Sequence, residues 1–125
     1  MRRRASLSAC AVPLLGRCVD LAYTTDEGVF TVEFKLRDWR QALRQARDHL
    51  LAADYAYVCM PARRISQDLR EQFTVHGIGL FFYVRTGDWP FEVVIEAKPS
   101  SDIWTPVRES VISYMSSGRG SRASR

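Results

Sequence analysis

Between Arg17 and Leu36 apolar and polar positions alternate in a two-residue rhythm around a turn signal, Thr24-Thr25-Asp26-Glu27-Gly28. That rhythm predicts two strands, Arg17–Tyr23 and Val29–Leu36, closed as a hairpin. On the second strand Phe30, Val32, Phe34 and Leu36 form the apolar face, while Glu33 and Lys35 share the other. On the first strand Val19, Leu21 and Tyr23 are the apolar set, leaving Cys18, Asp20 and Ala22 opposite. A hairpin centred between Asp26 and Glu27 sets Asp20 directly across from Glu33. A one-residue slip would turn an apolar set to the wrong face, so this register is well specified.

After Asp38, an N-cap with Gln41 at the capping-box position, the rhythm changes. Trp39, Ala42, Leu43, Ala46, Leu50 and Ala53 recur at three-four spacing and predict a helix from Trp39 to about Ala53. Its polar side carries a basic stripe, Arg40, Arg44 and Arg47, beside a line of Gln41, Gln45 and His49. The nearly continuous apolar run Tyr55–Met60, ended by Pro61, reads as a buried central strand parallel to an earlier one. Ser66 caps a second helix, which Gly77 stops after His76. Strands follow over Ile78–Val84 and Phe91–Ala97 around a turn at Thr86-Gly87-Asp88, then a helix over Trp104–Met115 with Pro106 in its first turn. The succession describes an α/β fold, a mixed sheet sandwiched by helices. Residues 1–15 are poorly determined beyond a short strand or turn over Ala11–Leu15. Residues 16–115 form one domain, and residues 116–125, rich in Ser, Gly and Arg, form a disordered basic tail.

With 125 residues the chain has room for one domain and too few for two. Its net charge of +4, dominated by arginine, fits a phosphate-bearing partner and fits a plain basic globular domain equally well. Cys10, Cys18 and Cys59 lack metal-ligand spacing and read as free thiols in a reducing compartment. The apolar stretch behind Met1-Arg2-Arg3-Arg4 is short, interrupted by Ser8 and Pro13, and runs into a strand, so export is not expected. No apolar run reaches membrane-spanning length, and a cytoplasmic location is the expectation.

The candidate chemistry lies in the hairpin. Directly opposed carboxylates weaken a strand pair. A divalent cation would turn that repulsion into ligation, and a lysine alongside suits a phosphodiester.

Asp20, then Glu33-Phe34-Lys35, then the helix bearing Gln41 and Gln45, then Tyr55–Met60, resembles the PD-(D/E)xK nuclease superfamily over about Arg17–Met60. The resemblance implies a restriction endonuclease-like fold and metal-dependent hydrolysis of phosphodiesters, DNA foremost. It implies Mg²⁺ or Mn²⁺ held by Asp20 and Glu33 with the carbonyl of Phe34, a Lys35 that orients water or stabilises phosphate charge, and Gln41 or Gln45 positioning substrate. Arg37, Arg40, Arg44 and Arg47 would then track the nucleic-acid backbone, and many such enzymes work as homodimers. The sequence departs from the family at one point. Many members carry an acidic residue on a helix before the first strand, and Met1–Val19 contains no Asp or Glu. A shortened chain, a two-acid site or a lost activity are the readings this leaves. The second Glu-x-Lys, Glu96-Ala97-Lys98, is followed by Pro99 rather than an amphipathic helix and reads as a solvated strand face. His49 and His76 read as surface or helix-end residues. Beside the nuclease stand two other readings: a catalytically inactive module on the same fold that binds nucleic acid or a partner, and an unrelated α/β protein.

Overall fold

Strands β1 (Ser8–Leu14) and β2 (Arg17–Thr25) pair antiparallel with Leu14 facing Arg17, which leaves Leu15 and Gly16 as a two-residue turn. Both turn residues have positive φ, 51° and 81°. A hairpin turn of this kind matches the twist of paired strands. Gly16 adopts it freely, whereas Leu15 does so against its own Cβ. β2 then pairs with β3 (Gly28–Phe34), Leu21 facing Val32 and Thr25 facing Gly28, so Asp26 and Glu27 make the turn. This is the register expected from the alternation; the pairing ends at Leu21 and Val32, one residue short of Asp20 and Glu33.

From β3 the chain rises through helix α1 (Trp39–His49) into β4 (Tyr55–Pro61), and through α2 (Gln67–His76) into β5 (Gly79–Tyr83). β3, β4 and β5 are parallel neighbours; β6 (Phe91–Ile95) returns antiparallel, and α3 (Thr105–Ser116) follows. The sheet order is β1-β2-β3-β4-β5-β6. The computed structural model describes residues 6–84 and 90–118. The expected turn at Thr86-Gly87-Asp88, Trp89 and most of the 116–125 tail lie outside the described residues.

The helices begin and end on the signals their sequences carry. The Asp38 carboxylate accepts from the Gln41 amide at 3.1 Å, and the Ser66 hydroxyl accepts from the Leu69 amide at 3.0 Å. Gly77, at φ 72°, ends α2. α1 stops at His49, short of the expected Ala53, because the amides of Leu50 and Leu51 bond carbonyls only three residues back and tighten the last turn. Residues 1–15, which lacked a clear element in the sequence, supply the edge strand β1.

Two expectations are corrected. The sheet is not sandwiched: among the described residues all three helices lie on one face. α1 and α2 pack on Ala56, Val58, Met60 and Leu80, and α3 packs on Ala9, Val12, Ala22 and Val29, which face the same way. Two right-handed crossovers advancing in one direction across a sheet put both helices on one side. The opposite face is a helix-free layer of Phe30, Val32, Tyr57 and Cys59 with Tyr23, Tyr55, Phe81 and Phe91 around them. Its rings stack: Tyr23 on Phe30 at 5.1 Å, Phe30 on Tyr55 at 4.8 Å, Tyr57 on Phe81 at 4.3 Å. So the helix-covered face of β3 is that of Val29, Thr31 and Glu33, not that of Phe30 and Val32. The second correction concerns β2, where Val19 and Ala22 are buried in the same cluster despite opposite parity. Opposite Asp20, Ala11 takes φ 53°, which breaks the alternation there.

Asp54 ties the two halves of the fold together: its Oδ2 accepts from the Val29 amide at 2.8 Å and from Arg108 at 2.9 Å. Gly28, at φ 130°, lies so close to that carboxylate that a Cβ there would collide with it. Gly28→Ala is expected to cost about 2–3 kcal/mol, whereas Leu15→Asn, placing a residue tolerant of positive φ in the first turn, should stabilise by about 0.5–1 kcal/mol. Urea denaturation of the two variants beside the parent checks both signs.

Candidate functional site

The strand period decides where the chemistry sits. Odd-numbered residues of β3 face the helices, which puts Thr31 and Glu33 beneath α1 and leaves Lys35 just beyond the strand end. Thr31, Glu33 and His49 are the fully buried polar or charged residues among those described, and all three lie along the seam between β3 and α1. Glu33 is 5% exposed and His49 5%. Among the described residues four buried polar side-chain atoms have no hydrogen-bond partner: Thr31 Oγ1, Glu33 Oε1, Gln45 Oε1 and His49 Nδ1. Buried polar atoms are normally paired, and orphans gathered in one seam mark a place meant to hold something polar. Gln45 and His49, one helical turn apart, also line a small cavity of about 40 Å³ with Leu14, Arg17, Cys18 and Asp48.

The nearest cationic candidate for Glu33 is His49, whose Nε2 is 3.9 Å from Glu33 Oε1, beyond hydrogen-bond reach. Burial, seconded by the charge of Asp20, pushes the Glu33 carboxyl up to about 7, although Lys35 pulls the other way. Burial pushes the His49 imidazole down to about 4. The two do not form an ion pair at neutral pH; each is held toward its neutral form by the loss of water.

Asp20, Glu33 and Lys35 therefore come together, Asp20 and Lys35 both close enough to bear on the Glu33 carboxyl. Asp20 is fixed from the backbone, its Oδ2 accepting from the Phe34 amide at 2.8 Å. That bond closes the hairpin at its open end and aims the carboxylate at the end of β3. All three residues lie at the carboxyl end of β3, where open α/β sheets take ligands.

Other expected site residues do not join them. Gln41 is exposed, and its amide is used in capping α1. Arg40 is drawn sideways: it pairs with Asp68 at 2.7 Å and lies over the Trp39 ring at 4.2 Å. Arg44 and Arg47 are exposed along α1, and Arg37 is exposed beyond β3, where its carbonyl accepts from Arg63 at 3.3 Å. His49 was underrated by its position at a helix end. Its spacing of four from Gln45 was the signal that places it over β3. Trp104 is exposed at the start of α3. Glu96 is exposed and accepts from the Tyr57 hydroxyl at 3.2 Å, on the far edge of the aromatic face. Among the described residues no three His, Cys, Asp or Glu side chains form a ready metal-ligand cluster. None of the described helices is long and apolar enough to cross a membrane.

No family model and no curated protein matches the chain. Among solved structures it is similar to a protein of unknown function from Silicibacter pomeroyi, with a TM-score of 0.61 and 18% sequence identity, over 93% of this chain and 75% of that one. At this identity the likeness is one of fold, a mixed α/β arrangement, and carries no activity.

The burial of Glu33 has a measurable consequence. Its carboxyl binds a proton more tightly folded than unfolded, so its contribution to stability is full below about pH 4.5 and is lost as pH rises through about 7. His49 acts with the opposite sign, losing stability as pH falls from about 6.5 through about 4. In EDTA, Glu33→Gln should raise stability by about 1–2 kcal/mol near pH 8 and have little effect near pH 4.5. Urea midpoints at the two pH values measure it; an equal effect at both would mean that Glu33 is not the desolvated acid.

Proposed function

We propose that this chain is a metal-dependent phosphodiester hydrolase of the restriction endonuclease-like kind, acting on nucleic acid and on DNA foremost. One observation carries the reading: the Glu33 carboxylate is buried beside Asp20 and Lys35 with an oxygen that no protein group satisfies. A second acid, a lysine two residues on, and a seam with three further orphaned polar atoms are what a hydrated cation and a phosphate would complete. The order of hairpin, helix and parallel strand over Arg17–Met60 supports the reading, while the placing of the described helices on one face of the sheet departs from the sandwich it implied.

On this reading Asp20 and Glu33 hold Mg²⁺ or Mn²⁺, with the Phe34 carbonyl at hand. Mg²⁺ needs no more than one or two carboxylates from the protein. When bound, the cation neutralises phosphate charge and makes water a better nucleophile. The protein's own part is positioning. The Phe34 amide holds Asp20 in place, the α1 seam holds Glu33, and Lys35 brings a compact positive charge to the phosphate. Gln45 and the neutral His49 offer polar atoms along the seam for water.

A second reading, a binding module without catalysis, draws on one feature: Asp20 already spends an oxygen on the Phe34 amide while Glu33 is almost fully enclosed. Incubation of single-stranded, duplex and branched DNA with Mg²⁺ or Mn²⁺, against EDTA, separates the two. The hydrolase predicts metal-dependent cleavage that Lys35→Ala and Glu33→Gln each reduce at least about 100-fold. Absence of cleavage with retained, salt-sensitive binding would transfer the assignment to the module.

A further inference from the structure

A groove of about 370 Å³ opens at the carboxyl ends of β3, β4 and β5, lined by Phe34, Leu36, Pro61, Tyr83 and Phe91, with Lys35 in its wall. Its volume falls in the ordinary range of small-ligand sites, about 300–1,000 Å³. Two of its three rings stand outside the core, while Phe91 is partly buried against the aromatic layer. Phe34 is 46% exposed and Tyr83 45%, and Leu36 stands out at 78%. Tyr83 and Phe91 meet at 5.8 Å with their planes tilted by 55°, forming one wall of the cleft. Exposed aromatic side chains at the end of a strand are costly to keep in water, and such patches mark binding surfaces.

The charge around the groove identifies the occupant. Lys35 lies within it, and close after its lining residues in the chain come the exposed Arg37, next to Leu36, and the exposed Arg63 and Arg64, which Ala62 separates from Pro61. Arg63 donates to the Arg37 carbonyl, which holds the two loop starts together. Aromatic rings below a cationic rim are the chemistry of single-stranded nucleic-acid binding: bases stack while arginines follow the phosphates. A purely apolar partner would have no use for the rim, and a duplex would have no base to offer the rings.

We propose that this groove takes an unstacked base of a single-stranded segment of nucleic acid, next to the phosphate that Lys35 meets. The proposal rests on the nucleic-acid reading above and adds to it the substrate class: a strand that is unpaired at the site. The covalent arrangement links the two places, because Phe34 sends its ring into the groove while its amide holds Asp20.

Fluorescence anisotropy of the full chain in EDTA, at one fixed salt concentration, tests it. Two labelled strands of about a dozen nucleotides are compared, one of thymidines and one of abasic residues with the same phosphates. The base-bearing strand should bind at least about fivefold more tightly. Tyr83→Ala should bring that ratio close to one and Tyr83→Trp should restore it; Leu36→Glu, at a fully accessible position outside the strand, should lower it as well. A 2-aminopurine in the thymidine strand should be quenched on binding. A ratio near one for the parent chain, or no binding of either strand, would overturn the proposal. So would a dimer, seen by sedimentation, that Tyr83→Ala dissolves, since a second copy would then be the occupant. Cleavage in Mn²⁺ with a ratio near one would remove the groove and leave the hydrolase; a base preference without cleavage would do the reverse.

Discussion

Everything in this fold turns on β3. It is the strand where the sheet changes from antiparallel to parallel: β2 pairs with it on one side through a tight turn, and β4 runs alongside it on the other. Its register is therefore fixed twice, by the Asp26-Glu27 turn and by the crossover through α1. Asp54 adds a third restraint by holding the Val29 amide and Arg108 together. Because side chains alternate along a strand, these restraints decide at once that Phe30 and Val32 stack with the aromatic layer and that Thr31 and Glu33 go beneath a helix. A carboxylate under a helix is thus not a local accident; moving it would require a slip that also buried the wrong face of every paired residue.

That placement opposes stability. A carboxylate taken out of water shifts toward its protonated form rather than remain charged, and Glu33 does so although the Asp20 backbone and Lys35 pull the other way. The one imidazole near enough to compensate is desolvated too and stays neutral. An apolar residue at this position, beside its strand partner Val58, would carry no such penalty. Conflict between local chemistry and the needs of the fold is expected where a site has been kept for use. The Asp20–Phe34 bond points the same way, since it spends a carboxylate oxygen on the backbone to hold a second negative charge near the first.

The sequence made some of this legible and concealed the rest for identifiable reasons. The hairpin register could be read because the alternation and the turn residues agreed, and the starts of α1 and α2 because Asp38 and Ser66 are strong caps. The buried strand Tyr55–Pro61 announced itself as an apolar run. β1 did not, because its alternation is broken at Ala11, a residue with no visible reason to take a positive φ. The side on which the helices pack was also hidden. β3 has one strongly apolar face, which looks like the core face, but Phe30 and Val32 are buried by neighbouring rings rather than by a helix. Crossover handedness, a property of topology and not of any residue, settles the matter. His49 was hidden for a related reason: a histidine at a helix end ordinarily meets water, and only the helix-covered identity of the Glu33 face puts it inside.

The end of β3 then shows how one strand can serve two kinds of chemistry. Up to Phe34 consecutive residues point to opposite faces, so the acid at 33 and the ring at 34 are separated by the sheet itself. The Lys35 amide makes one more bond across to β4, to the Cys59 carbonyl at 3.0 Å, and at this end of the sheet Lys35 borders both the carboxylates and the aromatic groove. A phosphate and the base attached to it are separated by a sugar, a span of the same order as the distance between adjacent strand residues. On the proposed reading, a strand terminus that offers a cation between an acidic side and an aromatic side would receive one nucleotide whose base is not already stacked on neighbours. A base within a duplex is held in its stack and would have to be withdrawn at a cost of a few kcal/mol. An unpaired strand avoids that cost, which is why the proposal for Phe34 and Lys35 names it rather than a duplex.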